Sequence, residues 1–96
     1  MYLLTVSYSQ VPALVEPYIP DHGTWVKKYF DAGILLVAGS KKSGLGGVLL
    51  AKAIPREDLL SILSEDPYVR FQVAEYQIVD FDCKLAGPGL DSLKNQ

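Results

Sequence analysis

A chain of 96 residues suits one small domain, and a composition of 49% hydrophobic and 21% charged residues is typical of a folded globular protein. The net charge of -2 excludes a general electrostatic attraction to nucleic acid or to anionic membranes, and no apolar run reaches the length of about 18 residues that a transmembrane helix needs. The single cysteine, Cys83, cannot form an internal disulfide. We therefore expect a cytoplasmic protein with neither a nucleic-acid partner nor a membrane partner.

The first predicted element is a strand, because apolar and polar side chains alternate from Leu4 to Ser9. A period of two residues is typical of a strand with one buried face. Residues 10–20 contain three prolines. Since repeated prolines interrupt strands and helices, an irregular connection is predicted there.

The stretch PDHGTWVKKYF, residues 20–30, predicts an amphipathic helix that starts at His22 and is capped by Asp21. Its apolar side chains recur at helical spacing, and His22 lies on the same face. The apolar set is Trp25, Val26, Tyr29, Phe30 and Ile34. Gly33 is placed where a left-handed residue ends a helix.

A hairpin is predicted next. The continuous apolar runs at residues 34–38 and 48–51 are typical of strands buried on both faces. The intervening residues 41–47 are rich in lysine and glycine, but they lack the Gly-Lys-Ser/Thr ending of a phosphate-binding loop and do not lead into a helix. We interpret them as a flexible turn at the mouth of a pocket.

A second helix, a strand and a tail complete the predicted order. Pro55 suits the first helical position, and the Asp66-Pro67 pair ends the helix and can cap a short following turn. The predicted buried side of this helix comprises Leu59, Leu60, Ile62 and Leu63. Residues 72–81 indicate the last strand. Residues 84–96 are predicted to be a loose tail outside a single domain of residues 1–83.

The order of these elements predicts an α+β fold, the ferredoxin-like βαββαβ sandwich, in which two helices cover one face of an antiparallel four-stranded sheet. The two central strands are apolar on both faces, so the uncovered face of the sheet would expose apolar side chains. A second copy of the chain can cover that face. We therefore predict an obligate homodimer.

Four features of the chain together resemble a known family. They are a histidine in the first turn of the first helix (Asp21-His22), a glycine and an apolar strand ending in Ala-Gly (residues 31–40), a glycine that opens the next strand (residues 47–50) and Asp-Pro-Tyr after the second helix (residues 66–68). Over residues 1–83 the chain is similar to the YCII-like family. The resemblance implies a dimeric α/β barrel of ferredoxin-like subunits and a functional pair formed by His22 and Asp66.

The chain also departs from the family pattern. Ser40 follows the Ala-Gly pair, where the family often has proline. No arginine precedes His22, where the family often has one. This second departure argues against a clamp for a substrate anion at that place.

Two interpretations of His22 and Asp66 stay open from the residues alone. The positive end of a helix disfavours an imidazolium ion and a neighbouring carboxylate favours it, a balance that suits general acid–base catalysis. The alternative is that His22 is a core residue and Asp66 only a helix cap.

Tyr8, Ser40, Tyr68 and Tyr76 are candidates for hydrogen bonds to a substrate. The alternative for each tyrosine is an amphipathic aromatic that fills the edge of the core. A Ser-His-Asp triad with Ser40 lacks a nucleophile elbow, and a zinc site needs more His or Cys than one of each. No metal and no cofactor are expected.

These observations predict a small cofactor-free enzyme that uses the His22–Asp66 pair for proton transfer, as an isomerase or a lyase, on a small and partly apolar substrate. A dimeric module that binds or senses a small molecule without turnover is the main alternative. A purely structural partner-binding protein is a third possibility, and it predicts no closed pocket near His22.

Overall fold

The computed structural model describes residues 1–96 as an α+β fold with one four-stranded sheet. Its elements are β1 (Tyr2–Tyr8), α1 (Pro12–Val15), α2 (Ile19–Asp31), β2 (Leu35–Ser40), β3 (Gly46–Ala51), α3 (Arg56–Ser64), α4 (Pro67–Arg70) and β4 (Ala74–Asp80). The strands lie in the order β2-β3-β1-β4, and every neighbouring pair is antiparallel. The predicted ferredoxin-like sandwich is thereby confirmed.

The core lies between the helices and one face of the sheet. In β1 the alternate residues Tyr2, Leu4 and Val6 are buried, and Leu4 is fully so. Trp25 of α2 and Leu59 of α3 belong to the same cluster of buried side chains. Burial of one such large apolar side chain stabilises the folded state by roughly 1.5–3 kcal/mol. This packing places the start of α2 over the sheet.

The prediction of an irregular connection at residues 10–20 was wrong. The segment forms α1, a 3₁₀ helix at Glu16–Tyr18 and the start of α2. Each of its three prolines stands in the first turn of one of these segments, where a missing N–H breaks no helical hydrogen bond. As a result α2 begins at Ile19 rather than at His22, and Asp21 lies inside the first turn without forming a side-chain cap.

Helix α3 buries a narrower stripe than predicted. Leu59 and Leu63, one turn apart, are buried, whereas Leu60 is 48% exposed. Four apolar residues within five positions span too wide an arc of a helix for all of them to face the core. The predicted end of α2 agrees better with the structure, because Gly33 has φ +76° immediately after the helix.

The face of the sheet away from the helices, here called the open face, carries exposed apolar side chains. Val37 pairs with Leu50, Leu50 with Leu3, and Leu3 with Val79, so the four residues form an apolar row across the four strands. Val37 is 48% and Val79 is 52% exposed. The burial of β2 and β3 on both faces is therefore not achieved within a single chain.

The longest helix, α2, has 13 residues, and no helix combines the length and the hydrophobicity that a membrane crossing requires. The cytoplasmic location stays a prediction.

Beyond β4, Asp91–Asn95 forms a 3₁₀ helix. The division into a domain of residues 1–83 and a tail of residues 84–96 also stays a prediction.

Candidate functional site

His22 and Asp66 are in direct contact. The Nδ1 atom of His22, in the first turn of α2, lies 2.8 Å from Oδ1 of Asp66, which precedes α4. The side chain of Asp66 is fully buried and that of His22 is 19% exposed. A carboxylate removed from water needs hydrogen-bond donors, and the imidazole is one of them. Both residues of the predicted pair thus meet within one chain.

Asp66 accepts two further hydrogen bonds. Its Oδ1 atom accepts from the backbone N–H of Tyr68 at 3.0 Å, which caps α4. Its Oδ2 atom accepts from the hydroxyl of Tyr76 at 2.6 Å. Asp66 therefore acts both as a helix cap and as the partner of His22. Because an ionised carboxylate only accepts hydrogen bonds, we expect a neutral His22 ring to carry its proton on Nδ1 and its lone pair on Nε2.

Aromatic side chains fix the plane of the imidazole. The ring of Tyr68 stacks on that of His22 with 3.9 Å between the centroids and an interplanar angle of 1°. Trp25, one turn further along α2, packs against His22 at 5.8 Å. Asp66 thus sets the direction of Nδ1 while Tyr68 limits tilting of the ring. The imidazole is held by Trp25 of its own helix α2 and by Asp66 and Tyr68 at the start of α4.

A cleft of about 440 Å³ opens beside His22, between α2 and the helix-covered face of the sheet. Its walls are mainly apolar and include Val6, Ile19, Val26, Ala38 and Leu49. Three of the predicted substrate-binding residues, Tyr8, Ser40 and Tyr68, line it as well. Since Nδ1 of His22 is bound to Asp66, Nε2 is the ring nitrogen left for a ligand in this cleft.

The three cleft hydroxyls are not used to hold the fold. The rings of Tyr8 and Tyr68 meet edge to face, with 5.8 Å between their centroids. Burial, and after it the Tyr8 hydroxyl, raises the pKa of Tyr68 above the usual value of a tyrosine. Tyr68 is therefore a protonated donor at neutral pH.

Tyr76 has a different place from the other candidates. It does not line the cleft, and its hydroxyl donates to Oδ2 of Asp66, whereas His22 contacts Oδ1. Burial, followed by the charge of Asp66, raises the pKa of Tyr76. Nothing in the sequence signals this contact, because it depends on how α4 leads back into β4. Tyr76 thus holds the carboxylate that holds His22.

The hairpin between β2 and β3 forms one rim of the cleft through Gly46 and Gly47. Lys41 is directed away from it, because its ammonium group donates to the hydroxyl of Ser7 at 2.8 Å, and Ser7 alternates with the residues of β1 that face the helices. No group of three or more His, Cys, Asp or Glu side chains is placed to hold a metal ion.

Comparisons with known proteins agree with this architecture. The model of the YCII-related domain family matches residues 1–82. A solved structure of 5-chloro-2-hydroxyhydroquinone dehydrochlorinase (TftG) from Burkholderia phenoliruptrix AC1100, in complex with 2,5-dihydroxybenzoquinone, is similar with a TM-score of 0.68. It is 13% identical in sequence, and the similarity covers 84% of this chain and 93% of that chain. A search of curated proteins found no match. At this identity the similarity concerns the fold.

Proposed function

The chain belongs to the YCII-related domain family, and on that premise we propose that it is a small cofactor-free enzyme in which His22 and Asp66 transfer a proton to or from a small, partly apolar substrate. The observation that carries the proposal is the contact of 2.8 Å between Nδ1 of His22 and the buried carboxylate of Asp66, beside an apolar cleft. This contact orients the ring and leaves Nε2 free.

The proposed proton transfer follows from this geometry. Nε2 accepts a proton from a hydroxyl or an activated C–H of the substrate, and the resulting imidazolium is stabilised by the charge of Asp66. Hydroxyls of the cleft, including that of Tyr68, whose ring stacks on the imidazole, donate hydrogen bonds to the negative charge that develops on the substrate. Return of the proton to another substrate atom completes an isomerisation. Departure of an anionic leaving group completes an elimination.

The structural neighbour supports elimination as the reaction to test first. Its name describes a dehydrochlorination, in which a proton and a chloride ion leave one molecule, and it was solved with a dihydroxylated quinone. One base can serve such a reaction in two stages: it moves a hydroxyl proton to the ring carbon that carries chlorine, and it then accepts a second hydroxyl proton while chloride departs as a stable anion and the quinone forms.

The partner proposed for the chain is a second copy of itself, packed sheet to sheet as in a dimeric α/β barrel. The apolar row on the open face, Val37, Leu50, Leu3 and Val79, supports this proposal. Rows of exposed apolar side chains at the centre of a sheet are rare on monomeric proteins. The cleft lies between α2 and the opposite, helix-covered face of the same sheet, so pairing in this way does not cover the α2 side of the cleft.

The experiment measures chloride release from 5-chloro-2-hydroxyhydroquinone under nitrogen, which prevents oxidation of the substrate by air. We expect wild-type turnover and a loss of about 10²–10⁴-fold in His22→Gln, the range that general acid–base catalysis contributes. Lys27→Gln, on the exposed side of the same helix, is the matched control and retains the wild-type rate. Equal rates in wild type and His22→Gln would contradict the proposal.

The same samples test the alternative of a binding module. Compounds of the same class are also tested for binding in the cleft. Binding to the wild type without conversion, with the same affinity in Lys27→Gln, would favour a binding module without turnover. The three hydroxyl-bearing residues that line the cleft, Tyr8, Ser40 and Tyr68, are the observation that keeps this second function in view.

A further inference from the structure

The cleft beside His22 has no charged side chain in its wall. Of its 13 lining residues none is Lys, Arg, Asp or Glu. The one charge in the site, the carboxylate of Asp66, is fully buried and lies behind the imidazole. An entering ligand thus meets apolar groups, glycine backbone, hydroxyls and Nε2 of His22.

Three basic side chains of the surrounding elements have partners outside the cleft. Lys28 of α2 binds Glu65, and Lys41 of the hairpin binds Ser7. Arg70 of α4 packs over the ring of Phe71, with 5.7 Å from its guanidinium carbon to the ring centre. None of these groups lines the cleft, and neither do Lys27 of α2 and Lys42 of the hairpin. An anionic ligand therefore finds no counter-charge there.

From this distribution of charge we infer that the substrate is an uncharged molecule with a weakly acidic hydroxyl and a second oxygen function, that is, a phenol or an enol rather than a carboxylate or a phosphate. The inference rests on the proposed function and names its substrate class. An anion would bring a second negative charge close to Asp66 and lose its hydration without gaining a cation.

An uncharged substrate avoids this cost. It enters a neutral cleft, and charge appears only when its proton reaches Nε2 of His22. The new anion then lies next to an imidazolium ion, whose charge is in turn balanced by Asp66. Tyr68 and Ser40, which both line the cleft, bring hydroxyl groups that can donate hydrogen bonds to the two oxygen functions.

The test compares 3-hydroxybenzamide with 3-hydroxybenzoate, which share a phenol ring and differ in charge. Binding is followed by NMR through the ring signals of His22, the single histidine of the chain. We expect the amide to cause saturable shifts with a dissociation constant of about 1 mM, and the benzoate to bind at least about tenfold more weakly. Ser40→Lys adds a cation at the rim and reduces or reverses this preference. Ser61→Lys, on exposed α3 surface outside the cleft, is the matched control and leaves the preference unchanged.

Benzoate binding as tight as that of the amide would overturn the inference, as would the absence of shifts with either compound at about 10 mM. The same spectra report which ring nitrogen of His22 carries the proton. A proton on Nδ1 together with tight benzoate binding would reject only the inferred substrate class. A proton on Nε2 together with selective amide binding would reject the proposed catalytic pair and leave the charge preference standing.

Discussion

The carboxylate of Asp66 reaches His22 across 44 positions of the chain, with 2.8 Å between Oδ1 and Nδ1. Asp66 is fully buried, and the three hydrogen bonds to its carboxylate come from different parts of the protein: the side chain of His22, the backbone of Tyr68 and the hydroxyl of Tyr76. A buried charge with three donors is a rigid group. The orientation of His22 therefore depends on the whole of this cluster.

The first prediction concerns the tautomer of His22. Because Asp66 accepts from Nδ1, we expect the neutral imidazole to carry its proton on Nδ1 and its lone pair on Nε2. Long-range proton–nitrogen correlation spectra measure this directly on ¹⁵N-labelled protein. In Asp66→Ala the Nδ1–H form should no longer dominate. A wild-type ring protonated on Nε2 would rule out the hydrogen bond as described.

The second prediction concerns the stability that Asp66 contributes. Asp66→Ala leaves three donors without an acceptor and should lower the free energy of unfolding by on the order of 3–5 kcal/mol. Asp66→Asn retains one acceptor oxygen, and its amide can donate to the Tyr76 hydroxyl, so a loss of about 1–2 kcal/mol is expected. Urea denaturation measures both. Equal losses in the two variants would show that the hydrogen bonds of Asp66 do not govern the effect.

The third prediction concerns Tyr76 as a positioning residue. Tyr76→Phe removes the donor to Oδ2 of Asp66 and should cost about 1–3 kcal/mol, because the acceptor is a buried charge. Tyr2→Phe is the matched control. It removes a tyrosine hydrogen bond of 2.7 Å to the neutral carbonyl of Ile54 and should cost only about 0.5–1.5 kcal/mol.

A purely structural role of Tyr76 would leave the ring of His22 unchanged. We expect instead that the ring signals of His22 shift in Tyr76→Phe and stay at their wild-type positions in Tyr2→Phe. Unshifted His22 signals in a folded Tyr76→Phe variant would contradict the positioning role.

The fourth prediction concerns alkaline pH. Burial raises the pKa of Tyr68 and of Tyr76 in the folded chain, whereas in the unfolded chain each ionises near pH 10. The folded state therefore retains protons that the unfolded state releases, and the stability contributed by these hydroxyls is complete below about pH 10 and decreases above it. Ultraviolet absorbance of tyrosinate should show late ionisation in the native protein. Tyr76→Phe should remove one late-ionising group, and a native titration that matches the urea-unfolded chain would contradict this expectation.

The fifth prediction concerns the open face of the sheet. We expect sedimentation at micromolar concentration to show a dimer, and Leu50→Glu to give a folded monomer, because the substitution places a charge in the middle of the apolar row. Leu60→Glu is the control, since Leu60 is 48% exposed on α3, away from that face. A wild-type monomer would reject the proposed homodimer.

Two kinds of sequence signal carried the fold prediction. Period-two alternation from Leu4 identified β1, and the helical spacing of Trp25 and Tyr29 identified the buried side of α2. Both are local, because the repeat of a strand or a helix fixes which side chains share a face. The start of α2 was predicted less well. The three prolines of residues 10–20 were interpreted as breaks, although each occupies a helix start, and only the course of the chain distinguishes these cases.

By itself, then, the sequence determined the order of the four strands and the two longer helices, the face on which His22 lies and, through the Asp66-Pro67 pair, the cap formed by Asp66. The tertiary structure alone decided that this cap also binds His22 and that the hydroxyl of Tyr76 donates to Asp66. It also decided that Tyr8, Ser40 and Tyr68 line one cleft without charged side chains in its wall. The reason is physical. Periodicity reports how neighbouring residues turn about one strand or helix, but hydrogen bonds between distant elements depend on how the sheet aligns its strands and on where the buried carboxylate finds its donors.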